Sequence, residues 1–416
     1  MVKPVKKIGL LGPYGYGNLG DAAIQQAMIE HIHRYHPDAK VYGFSLNPRD
    51  TEQRHGIPSY SISREFETPG WVKRTVPKKV RDNSAVRWLV RIAVKLPAEF
   101  VLTAKAMRAL KGFDLLIVSG GGQLDDYWGG PWWHPYTLLK FALIARLRKT
   151  EYVFVSVGAG PLDAALSRFF VRKALSLAGY RSYRDEGSKR FTQRIGFASD
   201  HDPVYPDLAY SLQPAENRAV HLPTRERRVV GIGPMTYFDP RIWPERDRSV
   251  YLNYLKKLAA FVAWLVEQGY AILFITGDAI HDRWAIDDLK VQLNGEDDID
   301  ASQILEPRID TVEDLLGALA TVDVVVASRL HSVILSHMLR KPVLAISYHE
   351  KIDTVMADLG QSEYCLSIDE FNVDALKKQF LVLVSNQPSL EAQIEEKTQA
   401  YCRALDEQYD HLFGNL

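Results

Sequence analysis

The stretch KKIGLLGPYGYGNLGDAAI, Lys6 to Ile24, indicates the fold class near the start of the chain. A short apolar run is followed by a glycine-rich loop and then by a segment with helical periodicity that opens at Asp21. A strand, a turn and a helix in this order begin a βαβ unit. Glycines in such a turn let a ligand approach the backbone, and a helix N-terminus favours an anion. The stretch therefore predicts a parallel α/β sheet with a ligand site after its first strand.

The same alternation of short Val- and Ile-rich runs with helical patterns continues along the chain. It is interrupted once, by polar and proline-containing sequence, which is typical of a linker. Alternating strands and helices favour parallel sheets. We therefore predict two α/β domains whose parallel sheets face a central cleft: an N-terminal domain over residues 1–213, a linker over 214–228, a C-terminal domain over 229–388 and an amphipathic helix over 389–416.

The composition excludes several classes of protein. The 416 residues include 51 Lys and Arg against 51 Asp and Glu, so the net charge gives no reason to expect a nucleic-acid partner. Cys365 and Cys402 are too few for a disulfide framework. The first residues contain neither a secretory apolar region nor a spanning helix. These features predict a cytoplasmic protein.

One segment of the N-terminal domain is strongly basic. Residues 71–111 contain eleven Lys or Arg against Asp82 and Glu99, interleaved with apolar residues. The pattern is that of a solvated amphipathic insertion packed on the domain. It also suits contact with an anionic membrane surface, where each cation contributes about 1 kcal/mol. A peripheral position at the inner face of the membrane is therefore a second expectation for this protein.

The opening loop does not have the fingerprint of a dinucleotide site. Gly15, Gly17 and Gly20 match the spacing of its glycines, but the fingerprint also needs an acidic residue after the next strand. Ser45 and Asn47 stand there instead. A tight turn, or a loop that lets a sugar or phosphate approach the backbone, is the better interpretation.

The second half of the chain contains a more specific set of residues. A buried strand, DVVVAS, delivers Arg329 and His331 to its carboxyl end, and Lys351 follows the next strand. An arginine fork beside a helix N-terminus suits a carboxylate or a phosphate. A surface ion pair for Arg329 and a helix cap for His331 are the alternatives. His31, His33 and His36 do not lie on one helix face, so we expect no metal site.

Seven motifs together resemble the polysaccharide pyruvyl transferase family: GPYGYGNLGDAAI, DLLIVSGGGQLDD, VSVGAGPL, SYRDEGS, YPDLAYSL, GIGP and SRLHSVILSHMLRKPVLAISYHEKI. The resemblance covers roughly Ile8 to Lys351. It implies a GT-B-like fold of two Rossmann-like domains. It also implies transfer of the pyruvyl group of phosphoenolpyruvate to a sugar, usually as a ketal, with release of phosphate and without a further cofactor. Ala22 departs from the family pattern, in which a further acidic residue often follows the aspartate.

The implied reaction assigns roles to the residues in these motifs. Phosphoenolpyruvate carries a carboxylate and a phosphate, and it must be protonated on its methylene carbon. His331 is the candidate acid because imidazole titrates near neutral pH. Asp21 is the candidate base or hydroxyl anchor, with an N-cap of the following helix as the alternative. The donor-binding candidates are Arg184, Arg329, Leu330, His331 and Lys351, and the acceptor-binding candidates are Gly17, Asn18, Asp21, Gly121, Gly122 and Gln123.

Other functions remain open from the residues alone. A GT-B glycosyltransferase with a nucleotide-sugar donor, or a nucleotide-binding epimerase, would share the fold and the glycines. A glycan-binding module would bind an oligosaccharide without consuming a donor. We expect phosphoenolpyruvate and a glycan or lipid-linked sugar acceptor as the partners.

Overall fold

The computed structural model describes residues 5–62, 97, 99–213, 227–293 and 301–414. The chain divides into two compact units. The first contains the residues up to Gly15 together with His36–Val204, and the second contains Tyr16–Tyr35 together with Tyr205–Leu416.

The first unit is built on a six-stranded parallel sheet in the order β3-β2-β1-β4-β5-β6. The strands are β1 (Lys7–Leu11), β2 (Lys40–Ser45), β3 (Ser59–Ser61), β4 (Leu115–Ser119), β5 (Glu151–Val157) and β6 (Tyr180–Tyr183). The helices, numbered along the chain, include α1 (Leu19–Tyr35), which belongs to the second unit, and α2 (Pro48–His55), α3 (His134–Arg148), α4 (Ala165–Leu177) and α5 (Glu186–Arg194) of the first.

The second unit contains a parallel sheet in the order β12-β11-β10-β7-β8-β9. Its strands are β7 (Val229–Gly233), β8 (Ala271–Phe274), β9 (Ile304–Leu305), β10 (Val324–Ala327), β11 (Val343–Ser347) and β12 (Cys365–Ser367). Its further helices are α6 (Arg248–Glu267), α7 (His281–Leu293), α8 (Val312–Thr321), α9 (Leu330–Met338), α10 (Glu350–Asp358), α11 (Val373–Ser385) and α12 (Gln387–Phe413).

Both sheets reverse their strand order at one place, between β1 and β4 in the first unit and between β7 and β10 in the second. Ligands of open α/β sheets bind beyond the carboxyl ends of the strands at such a reversal. The glycine-rich loops after β1 and β4 and the Arg329 segment after β10 occupy these positions. The topology therefore selects the same loops as the sequence.

The central strands β4, β7, β10 and β11 are buried along their whole length. Helices cover both faces of such sheets, which explains why these strands are continuous apolar runs without alternation. The predicted α/β fold with two parallel sheets is confirmed, and so is the helix of the C-terminal tail. The structure includes no described helix that is long and apolar enough to span a bilayer.

The two units differ from the predicted domains in the place of α1. Its sequence follows β1 directly, yet its buried face contacts α8, α9, α12 and the 3₁₀ helix Leu208–Ser211 of the second unit. One such contact is the stacking of His31 on Tyr409, with ring centroids 4.1 Å apart. Residues 214–226 of the predicted linker and 71–96 of the basic insertion lie outside the described residues, whereas residues 99–109 of that insertion are helical.

Candidate active site

Two backbone hydrogen bonds connect the start of α1 and the loop before it to the loop after β8. The Leu19 backbone N–H donates to the Gly277 carbonyl at 2.9 Å, and the Ala279 N–H donates to the Gly17 carbonyl at 2.8 Å. Gly17 has a φ of 83°, which a residue with a side chain rarely adopts. These bonds set the start of α1 against the carboxyl end of the second sheet.

Asn18 caps α1. Its side-chain oxygen accepts hydrogen bonds from the N–H groups of Gly20, at 2.9 Å, and Asp21, at 3.3 Å, and its Nδ2 donates to the Asp21 carboxylate at 3.0 Å. Because the helix begins at Leu19, the alternative of Asp21 as the N-cap is wrong. Asp21 instead lies in the first turn, where a carboxylate is favoured by the helix dipole. Its role as a base or hydroxyl anchor stays a prediction.

Gly20 lies directly against His331. A Cβ atom at position 20 would be 2.0 Å from Nδ1 and 2.1 Å from Cγ of His331. Only a residue without a side chain leaves room for the imidazole in this place. The glycine of the opening stretch therefore makes space for a protein side chain from α9.

Asp207 lies on another side of the imidazole of His331. Its Oδ2 is 3.6 Å from His331 Nε2, and its Oδ1 accepts a hydrogen bond from the Ala209 N–H at 3.0 Å. The Asp207 side chain is almost completely buried. Nε2 of His331 has no hydrogen-bond partner within the described part of the chain. The pair is thus close enough for an ionic interaction and just beyond hydrogen-bond distance.

Arg329 is held by a buried carboxylate. Its Nε lies 3.0 Å from Oδ1 of Asp282, and its Nη2 lies 2.5 Å from the same oxygen. Asp282 also accepts hydrogen bonds from the N–H groups of Gly277, at 2.9 Å, and Asp278, at 2.8 Å. Burial raises the pKa of Asp282, while the Arg329 guanidinium opposes this rise. The buried carboxylate of Asp282 therefore orients the guanidinium of Arg329. The edge of the guanidinium that faces away from Asp282, called its outer edge below, remains for a ligand.

Asp278 organises the start of α7 beside this pair. Its Oδ1 accepts hydrogen bonds from the N–H groups of Ile280 and His281, both at 2.9 Å, and its Oδ2 lies 2.9 Å from His281 Nδ1. Burial alone would raise the pKa of Asp278, but hydrogen bonding to His281 and the charge of Arg329 outweigh it and lower that pKa. A cation on Arg329 is thus matched by two carboxylates in this part of the unit.

The N-terminus of α9 carries unused hydrogen-bonding groups. Arg329 is its N-cap residue and makes no side-chain capping bond. The hydroxyls of Ser332 and Thr276 are buried, and neither has a hydrogen-bond partner among the residues that the structure describes. A buried polar group without a partner is costly, so these hydroxyls and the first N–H groups of α9 are suited to an anion.

Leu330 and Lys351 flank this end of the sheet. Leu330 is the first residue of α9, and Lys351 lies in the first turn of α10, which follows the adjacent strand β11. The Lys351 backbone N–H donates to Nδ1 of His349, the N-cap of α10, at 3.2 Å. The structure thus brings Gly17, Asn18, Asp21, Arg329, Leu330 and His331 to one end of the second unit, with Lys351 after the neighbouring strand.

The remaining candidates lie in the first unit, after β4 and β6. Gly121 has a φ of 64°, and its carbonyl accepts hydrogen bonds from the N–H groups of Gly158, at 2.7 Å, and Gln123, at 3.0 Å. Arg184 is buried, with its Nε 3.5 Å from the Asp185 carboxylate, and a Cβ on Gly158 would be 2.9 Å from its Nη2. Gly121, Gly122, Gln123 and Arg184 therefore form a separate group.

The side chain of Gln123 is used inside the first unit. Oε1 of Gln123 lies 2.9 Å from Nε2 of His134. Nε2 of Gln123 donates to the Tyr14 hydroxyl at 3.3 Å. Burial lowers the pKa of His134 to about 3, so the ring is neutral and its Nε2–H donates. A sugar contact through the Gln123 side chain would have to replace these bonds.

Asp207 and Asp282 could not be assigned a role from the sequence. Asp207 stands in the motif YPDLAYSL, which was singled out without a role, and no local pattern pairs Asp282 with Arg329. Across the described ranges, no three His, Cys, Asp or Glu side chains are grouped as metal ligands. His31, one of the three histidines considered for a metal, hydrogen-bonds the Ala27 carbonyl at 2.8 Å.

Two kinds of similarity place the chain among known proteins. It is 21% identical over 407 residues to the amylovoran biosynthesis protein AmsJ of Erwinia amylovora, covering 93% of this chain and 94% of that protein. Among solved structures, the putative UDP-N-acetylglucosamine 2-epimerase of Listeria monocytogenes has a TM-score of 0.60 at 12% identity, covering 98% of this chain and 96% of that one. Anabaena Alr3699/HepE in complex with UDP has a TM-score of 0.56 at 12% identity, with coverage of 99% and 100%.

The structural neighbours show the GT-B-like fold alone, because their identities are low. The sequence profile of the polysaccharide pyruvyl transferase family matches residues 18–350, from the cap of α1 to the first residue of α10. The match spans the Asn18 loop, the Arg329 segment and the motif that contains Asp207. This chain therefore belongs to the polysaccharide pyruvyl transferase family.

Proposed function

We propose that the protein transfers the pyruvyl group of phosphoenolpyruvate to hydroxyls of a sugar in a cell-surface glycan or its precursor and releases phosphate. The observation that carries the proposal is the N-terminus of α9. There an oriented guanidinium, an imidazole and the buried Ser332 hydroxyl, which has no hydrogen-bond partner among the described residues, lie at the strand reversal of the second sheet. Family membership and the similarity to AmsJ support a transferase that modifies polysaccharides.

Phosphoenolpyruvate would bind this end of the unit through hydrogen-bond donors. Its phosphate and carboxylate need several donors and positive charge. The outer edge of Arg329, the first N–H groups of α9 and the Ser332 hydroxyl are the groups we assign to one of these anions. Lys351 and, in the first unit, Arg184 stay predicted donor ligands. Because these groups provide positive charge, we propose that no metal ion or other cofactor is required.

The chemistry begins with protonation. His331 gives a proton to the methylene carbon, which becomes a methyl group, and a sugar hydroxyl attacks the adjacent carbon to form the first C–O bond. The proton of that hydroxyl passes to Asp21 and returns to the imidazole. A second hydroxyl then forms the other C–O bond, while the bond to the phosphate oxygen breaks. Inorganic phosphate leaves with the proton of the second hydroxyl, so the ketal forms without an oxidant or reductant.

The acceptor side of the proposal rests on the start of α1. Gly17, Asn18 and Asp21 lie in the same unit as His331, and Gly20 contacts its ring. A hydroxyl held by Asp21 would thus approach from the helix that packs on the proposed acid. Gly121, Gly122 and Gln123 remain acceptor candidates of the first unit.

The experiment is phosphate release from phosphoenolpyruvate across a panel of glycosides, followed by mass spectrometry of the sugar product. We expect one phosphate released per pyruvyl group added, and we expect Arg329→Ala to lose at least 100-fold in kcat/KM. Unchanged turnover in that variant would remove the α9 terminus from the donor site.

The same panel of glycosides distinguishes the proposed function from its alternatives. A GT-B glycosyltransferase would be stabilised thermally by a UDP-sugar and would transfer its sugar, without response to phosphoenolpyruvate. A glycan-binding module would bind a glycoside and consume no donor. Either outcome, with no phosphate released from phosphoenolpyruvate, would contradict the proposal.

A further inference from the structure

The carboxylate of Asp207 has no part in the reaction as written above, yet it faces the proposed acid. It reaches His331 from the loop before the 3₁₀ helix Leu208–Ser211, with Oδ2 at 3.6 Å from Nε2. Its other oxygen is occupied by the Ala209 N–H. One carboxylate thus caps a helix with Oδ1 and faces an imidazole with Oδ2.

A positive charge on His331 needs such a partner because of its place on α9. It is the second residue of that helix, where the positive end of the helix dipole disfavours a cation. A neighbouring carboxylate in a buried place has the opposite effect, because it favours the protonated imidazole. Asp207 is the acidic residue within ion-pair distance of His331 in the described chain.

We propose that Asp207 is a positioning residue for His331, an inference that rests on the proposed function. Its carboxylate faces Nε2 of the imidazolium at ion-pair distance, and Nδ1 is the nitrogen that passes its proton to the methylene carbon of the donor. The proton that returns from the first sugar hydroxyl restores Nδ1–H. Asp207 stays ionised throughout, so the protons of the overall reaction still balance.

The other charged groups near α9 have their own partners or lie at its far end. Arg329 is paired with Asp282, and Asp21 is bonded by Asn18. Arg340, beyond the end of α9, is 3.0 Å from Glu395 of α12. Further ionisable groups lie on α9 and on the elements packed against it: His337 of α9; Glu30, His31, His33, Arg34 and Tyr35 of α1; Glu313 and Asp314 of α8; Glu350, Lys351, Asp353 and Asp358 of α10; Tyr210 of the 3₁₀ helix; and Glu391, Glu396, Lys397, Tyr401, Cys402, Arg403, Asp406, Glu407, Tyr409, Asp410 and His411 of α12.

The two tyrosines stay neutral beside Asp207. Burial above all, and then nearby groups that include the Asp207 carboxylate, raise the pKa values of Tyr210 and Tyr409. Neither phenol therefore supplies a charge that could replace the interaction with Asp207. Strands β10 and β11, VVVA and VLAIS, carry no ionisable side chain.

The test is the pH profile of kcat/KM for phosphoenolpyruvate in the wild type and in Asp207→Asn. Asparagine is as good an N-cap as aspartate, so the variant keeps the bond from Ala209. It replaces Oδ2 by an N–H donor, which favours a neutral Nε2 and disfavours the imidazolium. We expect the alkaline limb of the profile to move to lower pH by about one unit or more, and kcat at pH 7.5 to fall by about 10-fold or more while the donor KM changes little.

Matched variants separate charge from structure. Asp406→Asn removes an exposed carboxylate of the same unit, 3.7 Å from Arg34, and should leave the profile in place. Asp207→Glu keeps the charge and should restore part of the rate, whereas Asp207→Ala loses both the cap and the charge. If Asp207 served the cap alone, Asp207→Ala would lower the melting temperature and Asp207→Asn would keep the wild-type profile, which would overturn the proposal.

A second readout is independent of turnover. Proton NMR of histidine labelled with ¹³C, with His331→Gln for assignment, follows the titration of this ring directly. We expect the titration of the ring to move to lower pH in Asp207→Asn, and an unmoved titration would refute the pairing. If the wild type released no phosphate with any acceptor, the proposed function would fail while the NMR result could still establish the pair.

Discussion

Gly20→Ala is expected to disable the enzyme by displacing the imidazole of His331. The added Cβ would be 2.0 Å from Nδ1, 2.1 Å from Cγ and 2.5 Å from Cβ of that residue. Carbon and nitrogen atoms pack at about 3.5 Å, so the ring and α1 must separate by about 1.5 Å. The contact includes Cβ of His331, which is bonded directly to the backbone, so a change of side-chain rotamer cannot relieve it.

The size of the effect follows from this displacement. Moving a catalytic group by about 1 Å costs about 100-fold in rate, so we expect kcat to fall by at least that factor. Overpacking costs about 1 to 3 kcal/mol, and the helix propensity of alanine returns up to about 1 kcal/mol. The free energy of unfolding should therefore decrease by about 0 to 3 kcal/mol, and the variant should remain folded.

The assay is initial-rate phosphate release at saturating donor, combined with thermal denaturation. Gly179→Ala is the control, since a Cβ there would meet only Glu151, at 3.4 Å or more. Gly20→Ala/His331→Ala provides a second test, because removal of the ring should relieve the contacts with Nδ1 and Cγ and so reduce the destabilisation caused by the methyl group, while the contact with Cβ of residue 331 remains. A Gly20→Ala enzyme with kcat within threefold of the wild type would refute the importance of this contact.

Four further outcomes are expected. His331→Gln should lower kcat by at least about 100-fold with little change in donor binding, and loss of binding at an unchanged kcat would instead assign it a positioning role. Arg329→Lys keeps the charge but loses the fork against Asp282, so the donor KM should rise and kcat should fall; wild-type constants would contradict this. Chelation with EDTA should leave the rate unchanged, and activity lost with EDTA and restored by Mg²⁺ would contradict the proposed donor site. Burial lowers the pKa of His337 to about 3, so protons bind the unfolded chain first, and this residue should contribute a fall in stability of about 1.4 kcal/mol per pH unit between about pH 6.5 and 3; His337→Leu should reduce the slope by about that amount in denaturant titrations, and an unchanged slope would refute the assignment.

The fold could be predicted because local patterns determine it. Buried parallel strands such as β4 and β10 are continuous apolar runs, and the glycines and polar residues that follow them mark their carboxyl ends. The place of α1 could not be predicted in the same way. Its apolar pattern does not specify the unit against which it packs, and the structure shows its contacts with α8, α9, α12 and the 3₁₀ helix.

The motifs of the candidate site could be selected from the sequence, but the pairs that their side chains form could not. Arg329 and His331 were found because they follow a strand, whereas their partners Asp282 and Asp207 lie far from them along the chain. Asp21 looked like a cap because the helical pattern starts there, but Asn18 begins the helix three residues earlier. Such contacts between distant segments leave no periodicity for sequence analysis to detect.

The proposed reaction can be followed directly with [2-¹³C]phosphoenolpyruvate and an accepting glycoside. We expect ¹³C NMR to show the labelled carbon as a ketal of the sugar, with one phosphate released per ketal, and His331→Gln to slow both signals equally. Transfer of a sugar from a UDP-sugar, with phosphoenolpyruvate left intact across the glycoside panel, would contradict the proposed reaction.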